Sequence, residues 1–81
     1  MSMSTISNPK LNWREFGEYI AAMRKKQGIT QKEFAEMIGI HQPDVSVLEK
    51  GSRQSTVEMI WKVAEALSIS PQKLFSRIKE I

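Results

Sequence analysis

The feature that most constrains the fold is residues 30–50, where two short helical patterns meet at a glycine. Thr30 and Glu33 have the spacing of a capping box, so a helix is predicted to begin at about Gln31. Gly39 follows the last apolar position of that helix, and a glycine there usually takes the left-handed conformation that ends a helix. A second short helical pattern resumes after the turn. Two short helices joined in this way predict a helix-turn-helix.

Helical periodicity predicts three further helices, one before this motif and two after it. Asn12 has the capping spacing to Glu15, either Ser55 or Thr56 can cap the fourth helix, and Ser70 precedes a proline that suits a first helical turn. The chain is therefore predicted to be all-α, a compact five-helix bundle with a central helix-turn-helix. Residues 1–11 are polar and aperiodic and are predicted to form a flexible tail, and residues 12–81 one domain.

Composition argues against several classes of function. The 81 residues include no cysteine and a single histidine, so neither a disulfide, a zinc cluster nor a nucleophile with an orienting base is expected. We therefore expect neither an enzyme nor a cofactor or metal. The start of the chain lacks a basic and apolar leader and no apolar run could span a membrane, which favours the cytoplasm. A net charge of +3 weakly favours a polyanionic partner.

Three segments carry a specific resemblance to a known family. They are RKKxGITQKEFA at residues 24–35, GIHQ at residues 39–42 and VSVLEKG at residues 45–51. From about Phe16 to Phe75 the sequence resembles the Cro/C1-type, or XRE-like, helix-turn-helix family of DNA-binding regulators. Among these it is most similar to the small controller proteins of restriction-modification systems. The resemblance implies a lambda-repressor-like fold and double-stranded DNA as the partner.

The resemblance also implies that residues 42–50 form a recognition helix that enters the major groove. Gln42 matches a base-reading glutamine, and an amide can pair bidentately with adenine. Pro43 and Val47 have apolar surface for thymine methyl groups. Asp44 departs from the family pattern, and two interpretations of it stand. Its carboxylate accepts from cytosine N4 or bonds a neighbour, or it is a helix-start charge without a base contact.

A further group of residues is expected to contact phosphates. Gln31 matches a phosphate-binding glutamine at the start of a helix, where free N–H groups and partial positive charge favour an anion, although it also fits an ordinary exposed glutamine. His41 replaces a small hydroxyl cap and is either a phosphate or base contact or a half-buried cap. Arg24 and Glu49 match a structural pair between the first helix and the recognition helix. The complete phosphate-contact set is Thr30, Gln31, His41, Ser46, Lys50, Ser52 and Arg53, of which the last three also fit a merely solvated loop.

The apolar residues near the end of the chain predict a homodimer. The fifth helix bears Leu74, Phe75, Ile78 and Ile81, which are expected to form most of the dimer interface. We expect the core to bury only one side of this set, leaving Ile78 and Ile81 for a partner. Trp61 lies off the buried stripe of the fourth helix and is expected to join that interface. A two-fold dimer would read a near-palindrome. The alternative is a monomer in which Trp61 covers the flank of the fourth helix.

A second class of function is an antitoxin-type protein, which holds a toxin and regulates its own operon. Some proteins of this fold work chiefly through such a protein partner, usually with an additional segment. In this chain only the tail and the fifth helix are available for that purpose. A DNA-binding regulator is therefore the first prediction and an antitoxin the second.

Overall fold

The computed structural model describes residues 11–78, which fold into five helices. In chain order these are α1 (Trp13–Lys26), α2 (Gln31–Ile38), α3 (Gln42–Lys50), α4 (Val57–Ala66) and α5 (Pro71–Phe75). The predicted all-α, five-helix architecture is confirmed. Within the described range, none of the helices combines the length and the apolar character needed to cross a membrane. Residues 1–10 of the predicted tail and the predicted interface residue Ile81 lie outside the described residues.

Side-chain caps fix the starts of three helices. The Asn12 side chain accepts from the Glu15 N–H at the start of α1, at 2.9 Å. The Thr30 and Glu33 side chains accept reciprocally from each other's N–H groups, which is the predicted capping box. At the start of α4 the cap is Thr56, not Ser55, whose side chain is buried. Ser70 occupies the cap position of α5 and Pro71 is its first residue, as predicted, but the Ser70 side chain makes no cap hydrogen bond.

The core brings together apolar residues from all five helices. On each longer helix they recur at spacings of three and four, which places them on one face. Trp13 at the start of α1 meets the Phe16 ring edge to face, with centroids 5.5 Å apart. Leu11, which the sequence assigned to the flexible tail, also packs partly buried on this core. The buried apolar residues are Trp13, Phe16, Ile20, Phe34, Ala35, Ile38, Val45, Leu48, Ile60, Val63, Ala64, Leu67, Ile69, Leu74 and Ile78.

The backbones of α1 and α3 come into direct contact at a glycine. A Cβ atom added to Gly17 would lie 2.5 Å from the carbonyl oxygen of Glu49 and 2.6 Å from that of Leu48. Gly51, which ends α3 with a φ of +67°, faces the Arg14 backbone just as closely. No side chain fits at either position without moving backbone. These two glycines therefore set the distance between α1 and the predicted recognition helix.

The segment at the end of the described domain differs from the sequence-based expectation. Leu74 is fully buried and Ile78 is 7% exposed, so the expectation that these two residues contribute to a dimer interface is wrong. The segment folds back onto α1, where the Arg77 guanidinium lies 4.4 Å from the centre of the Tyr19 ring and 3.9 Å from the Glu15 carboxylate. Phe75 is half-buried, whereas Trp61 on α4 is 54% exposed, as expected.

The contact at Gly17 predicts an inverted effect of a glycine-to-alanine substitution. Gly17→Ala would normally stabilise a helix interior by about 0.8–1 kcal/mol. Here it should lower the free energy of unfolding by roughly 1–3 kcal/mol, because the new methyl group overlaps two carbonyl oxygens of α3. Urea unfolding measures the difference. Ala22→Gly, at an exposed position of the same helix, is the control and should cost about 1 kcal/mol. A Gly17→Ala protein more stable than the wild type would contradict the close contact.

Candidate nucleic-acid interface

The α3 helix is anchored along one side and leaves the opposite side open. Val45 and Leu48 are buried in the core. Gln42 and Pro43, two of the predicted base-reading residues, are exposed in the first turn. Their exposure follows from the helical period, which directs positions 45, 48 and 49 inward and the first turn outward. The other side chains of α3 that reach the surface are half-buried or exposed: Asp44, Ser46, Val47 and Lys50.

A buried ion pair joins α3 to α1. Arg24 Nε donates to Glu49 Oε2 at 2.6 Å and Nη2 donates to Oε1 at 3.2 Å, so the pair is bidentate. Arg24 is 7% exposed and Glu49 9% exposed. The Arg24 Nη1 group donates to the Ile29 carbonyl oxygen at 2.7 Å, which gives the buried guanidinium a third acceptor. The predicted pair is therefore present, and it also fixes the turn between α1 and α2.

The same pair extends to the start of α2. Gln31 Nε2 donates to Glu49 Oε1 at 3.0 Å, so the predicted phosphate-binding amide is held by the last turn of α3. Helix geometry leaves the N–H groups of Gln31 and Lys32 without helical acceptors. These groups and the helix dipole make the start of α2 favourable for an anion. The Gln31 interpretation as a merely solvated side chain does not fit this contact.

Thr30 and Glu33 complete the start of α2. The Thr30 N–H donates to Glu33 Oε1 at 2.9 Å, and the Thr30 hydroxyl oxygen accepts from the Glu33 N–H at 3.0 Å. The pKa of the exposed Glu33 carboxyl is lowered, mainly by the hydrogen bond from the Thr30 backbone and to a smaller extent by hydrogen bonding with the Thr30 side chain. The Thr30 backbone donor is thus already used. The donor on Thr30 that remains for a phosphate is its hydroxyl hydrogen.

Asp44 is paired with a residue from the loop after α3. Arg53 Nη2 lies 3.4 Å from Asp44 Oδ1, and the two side chains are 62% and 38% exposed. Of the interpretations left open for Asp44, bonding to a neighbour is the one present in the free protein. The pair lines a surface cavity of about 200 Å³ beside the apolar side chains of Ile40, Leu48 and Met59. No pattern in the sequence indicated this pair, because Asp44 lies in the first turn of α3 and Arg53 in the loop that follows the helix.

The remaining predicted phosphate contacts lie at the surface. His41 occupies the cap position of α3 with an extended backbone, but its side chain makes no cap hydrogen bond. It is exposed, so the interpretation of His41 as a half-buried cap is wrong. Lys50 and Ser52 lie on either side of the glycine that ends α3 and are exposed, whereas Ser46 is half-buried. None of these four side chains makes a hydrogen bond or ion pair with another of the residues 11–78.

Comparisons with known proteins agree with this arrangement. A family model described as helix-turn-helix (HTH_3) matches residues 20–74. An uncharacterised helix-turn-helix-type transcriptional regulator of Sinorhizobium fredii is 34% identical over 64 residues, which cover 79% of this chain and 83% of the relative. The range matched by the family model includes α2, α3 and α4.

Solved structures show the same likeness in three dimensions. The restriction-modification controller protein C.AhdI of Aeromonas hydrophila is similar with a TM-score of 0.74 and 31% identity, over 79% of this chain and 97% of that one. The c2 repressor of P22, in complex with a synthetic operator, is similar with a TM-score of 0.68 and 32% identity, over 73% of this chain and 89% of that one. The fold is therefore that of lambda-repressor-like helix-turn-helix proteins.

The buried pair predicts a marked asymmetry between single and double substitutions. Glu49→Ala leaves the Arg24 guanidinium buried without its carboxylate and should lower the free energy of unfolding by about 3–5 kcal/mol. Replacing both partners, with Arg24→Met and Glu49→Leu, removes the charge and should recover most of that loss. Denaturant unfolding of the two variants tests this. Equal losses in the single and double variants would contradict the role assigned to the unpaired charge.

Proposed function

The chain belongs to the helix-turn-helix family, and from that premise we propose that it is a sequence-specific regulator of transcription that binds double-stranded DNA as a homodimer. The observation that carries the proposal is the exposed first turn of α3, held in place by the buried Arg24–Glu49 pair. A helix anchored on one side with a polar amide at its open end can enter a major groove. The P22 repressor complexed with an operator supports this use of the fold.

Base recognition is assigned to the first turns of α3. Gln42 is fully available to pair its amide with adenine N6 and N7, because it is exposed and its side chain makes no hydrogen bond with another of the described residues. Pro43 is exposed beside it and Val47 is partly exposed one turn later, so both can meet thymine methyl groups. Direct readout would thus combine one bidentate contact with apolar contacts.

Phosphate contacts are assigned to both sides of the recognition helix. On one side, the start of α2 offers the N–H group and the remaining amide hydrogen of Gln31. On the other, Lys50, Ser52 and Arg53 lie around the end of α3 and are exposed. The same role is proposed for Thr30, His41 and Ser46. Contacts on both sides would fix the depth and angle of α3 in the groove.

The proposed homodimer uses the exposed surface of α4 and the start of α5. Trp61 borders a groove that also contains Ile69 and Pro71. Phe75, at the end of the helix that Pro71 begins, is half-buried. A tryptophan that is 54% exposed beside apolar surface is typical of an interface anchor. A two-fold dimer would present two α3 helices about 34 Å apart, which is one turn of duplex DNA, and so would read a near-palindromic operator.

A narrower role as a restriction-modification controller is also proposed. It is supported by the likeness to C.AhdI, which this chain matches over 97% of the length of that protein. A controller regulates the genes of its own restriction-modification system, so the narrower proposal requires an operator beside such genes. The broader proposal of a DNA-binding regulator holds whichever genes are regulated.

Selection of bound duplexes from a random library tests sequence-specific binding and the role of Gln42 together. The purified protein should enrich a near-palindrome with two half-sites. Gln42→Ala should then weaken binding to that duplex by about 1–3 kcal/mol and relax the preference at a single position of each half-site. Affinity for unrelated DNA should change little. If the library yields no preferred sequence, the proposed function is wrong; if all duplexes weaken alike, Gln42 contacts the backbone and not a base.

Trp61 and Met37, the large apolar side chains that are exposed in the described part of the chain, provide a matched test of the dimer. Trp61→Lys should shift the protein towards monomer in sedimentation equilibrium, because it places a charge in the proposed interface. Met37→Lys is the control, since Met37 is 51% exposed but lies on α2, outside that interface. Ile78 does not serve this test, because a charge there would disrupt the core. A Trp61→Lys protein with the same mass as the wild type would rule out this interface.

A further inference from the structure

We propose that Asp44 and Arg53 form an exchangeable ion pair that makes the phosphate contact of Arg53 conditional on the base that Asp44 meets. The inference rests on the proposed function, since it concerns how the same interface selects its DNA. In the free protein the two groups neutralise each other at 3.4 Å. On a preferred DNA site they separate, with the guanidinium moving to a phosphate and the carboxylate to a base. The pair thereby makes Asp44 a specificity-determining residue.

The geometry of the pair suits such an exchange. The side chains are 62% and 38% exposed, and ion pairs at such positions stabilise proteins only slightly. Separation is therefore easily compensated. Within residues 11–78, Arg53 makes a single side-chain contact at 3.4 Å and not a bidentate one, so its remaining N–H groups can bind an anion. The Arg24–Glu49 pair is the contrasting case, because it is buried, bidentate and not available for exchange.

The position of Asp44 makes its charge selective. It belongs to the first turn of α3, beside the exposed Gln42 and Pro43. Within residues 11–78, Arg53 is the side chain that donates to its carboxylate. When Arg53 turns to a phosphate, the carboxylate needs another donor, because an unpaired charge close to DNA phosphates is repelled. In the major groove the base donors are cytosine N4 and adenine N6.

The consequence is rejection of particular bases. Guanine and thymine present only acceptor atoms or a methyl group in the major groove, so either one opposite Asp44 repels the carboxylate. On such a site Arg53 stays with Asp44 and its phosphate contact is lost. On a site with cytosine or adenine on the facing strand, both groups are satisfied. One base pair thus controls both a base contact and a backbone contact.

The test compares the wild type with Asp44→Asn, Arg53→Gln and the double variant. Selection from the random library identifies the position whose preference changes in Asp44→Asn. Affinities are then measured on the selected duplex and on the same duplex with that base pair inverted, which keeps composition constant. Glu36→Gln is the charge-matched control, because Glu36 is an exposed carboxylate on α2 that lies outside the proposed interface. Thermal unfolding checks that each variant is folded.

The wild type should prefer the selected duplex over the inverted one, and Asp44→Asn should reduce that ratio about fivefold or more. Asp44→Asn should also strengthen binding to the inverted duplex relative to Glu36→Gln, because Arg53 is released. On the inverted duplex, Arg53→Gln should weaken binding more in the Asp44→Asn background than in the wild type, and in that background it should reduce the slope of log affinity against log salt by about 0.9.

Two results would overturn the inference, and they have different meanings. If the wild type shows no preferred sequence, the proposed function fails and the inference fails with it. If the wild type has a preferred sequence but Asp44→Asn leaves its preferences unchanged, or Arg53→Gln has the same effect in both backgrounds, the ion-pair exchange alone is wrong. The protein would then still be a sequence-specific DNA-binding regulator.

Discussion

The bidentate ion pair between Arg24 and Glu49 determines how α3, the proposed recognition helix, is oriented on the domain. Both groups are almost fully buried, so the attraction between them is largely offset by the loss of hydration. The pair therefore affects the orientation of α3 more than the net stability of the domain. Two parallel N–H···O bonds define an angle as well as a distance, and Gly17 permits the backbones to approach closely enough for those bonds to form. The orientation of α3 depends on this combination.

The network around Glu49 connects the three helices that form the interface. Arg24 belongs to α1, Gln31 to the start of α2 and Glu49 to the last turn of α3. The proposed phosphate site on α2 and the proposed base-reading helix are thereby held in one rigid unit. Apart from Gln31, the side chains assigned to DNA lie outside this network and are exposed or partly exposed. Specific recognition requires side chains that can contact DNA on a rigid set of helices, because the position of the helices is then independent of the DNA sequence.

The sequence predicted features that depend on residues close to one another in the chain. The capping box at Thr30 and Glu33 and the left-handed turn at Gly39 are local, and both are confirmed. The burial of Ile78 was missed because it depends on the chain folding back onto α1, where Arg77 meets Tyr19. A glycine inside the helical pattern of α1 was the available signal for the α1–α3 contact.

For the candidate site, the sequence predicted the features that belong to the family fold but not the side-chain contacts between elements. The family pattern located the Arg24–Glu49 pair and the open end of α3, which are properties of the fold. The contacts of Gln31 with Glu49 and of Asp44 with Arg53 were not predicted, because flexible side chains on different elements adopt them only after the backbone is assembled. His41 was uncertain for a similar reason, since exposure at a cap position depends on the angle at which α2 meets α3.

The most direct test of the central claim is to map the bound surface by nuclear magnetic resonance during titration with the selected duplex. The account predicts that the largest changes in backbone amide signals occur at Gln31, at Gln42, at residues 44–47 and at residues 52–53. The amides of Glu36 and Met37, at the other end of α2, should change little. Changes concentrated around Glu36 and Met37, with the first turn of α3 unaffected, would contradict the assignment of α3 as the helix that reads DNA.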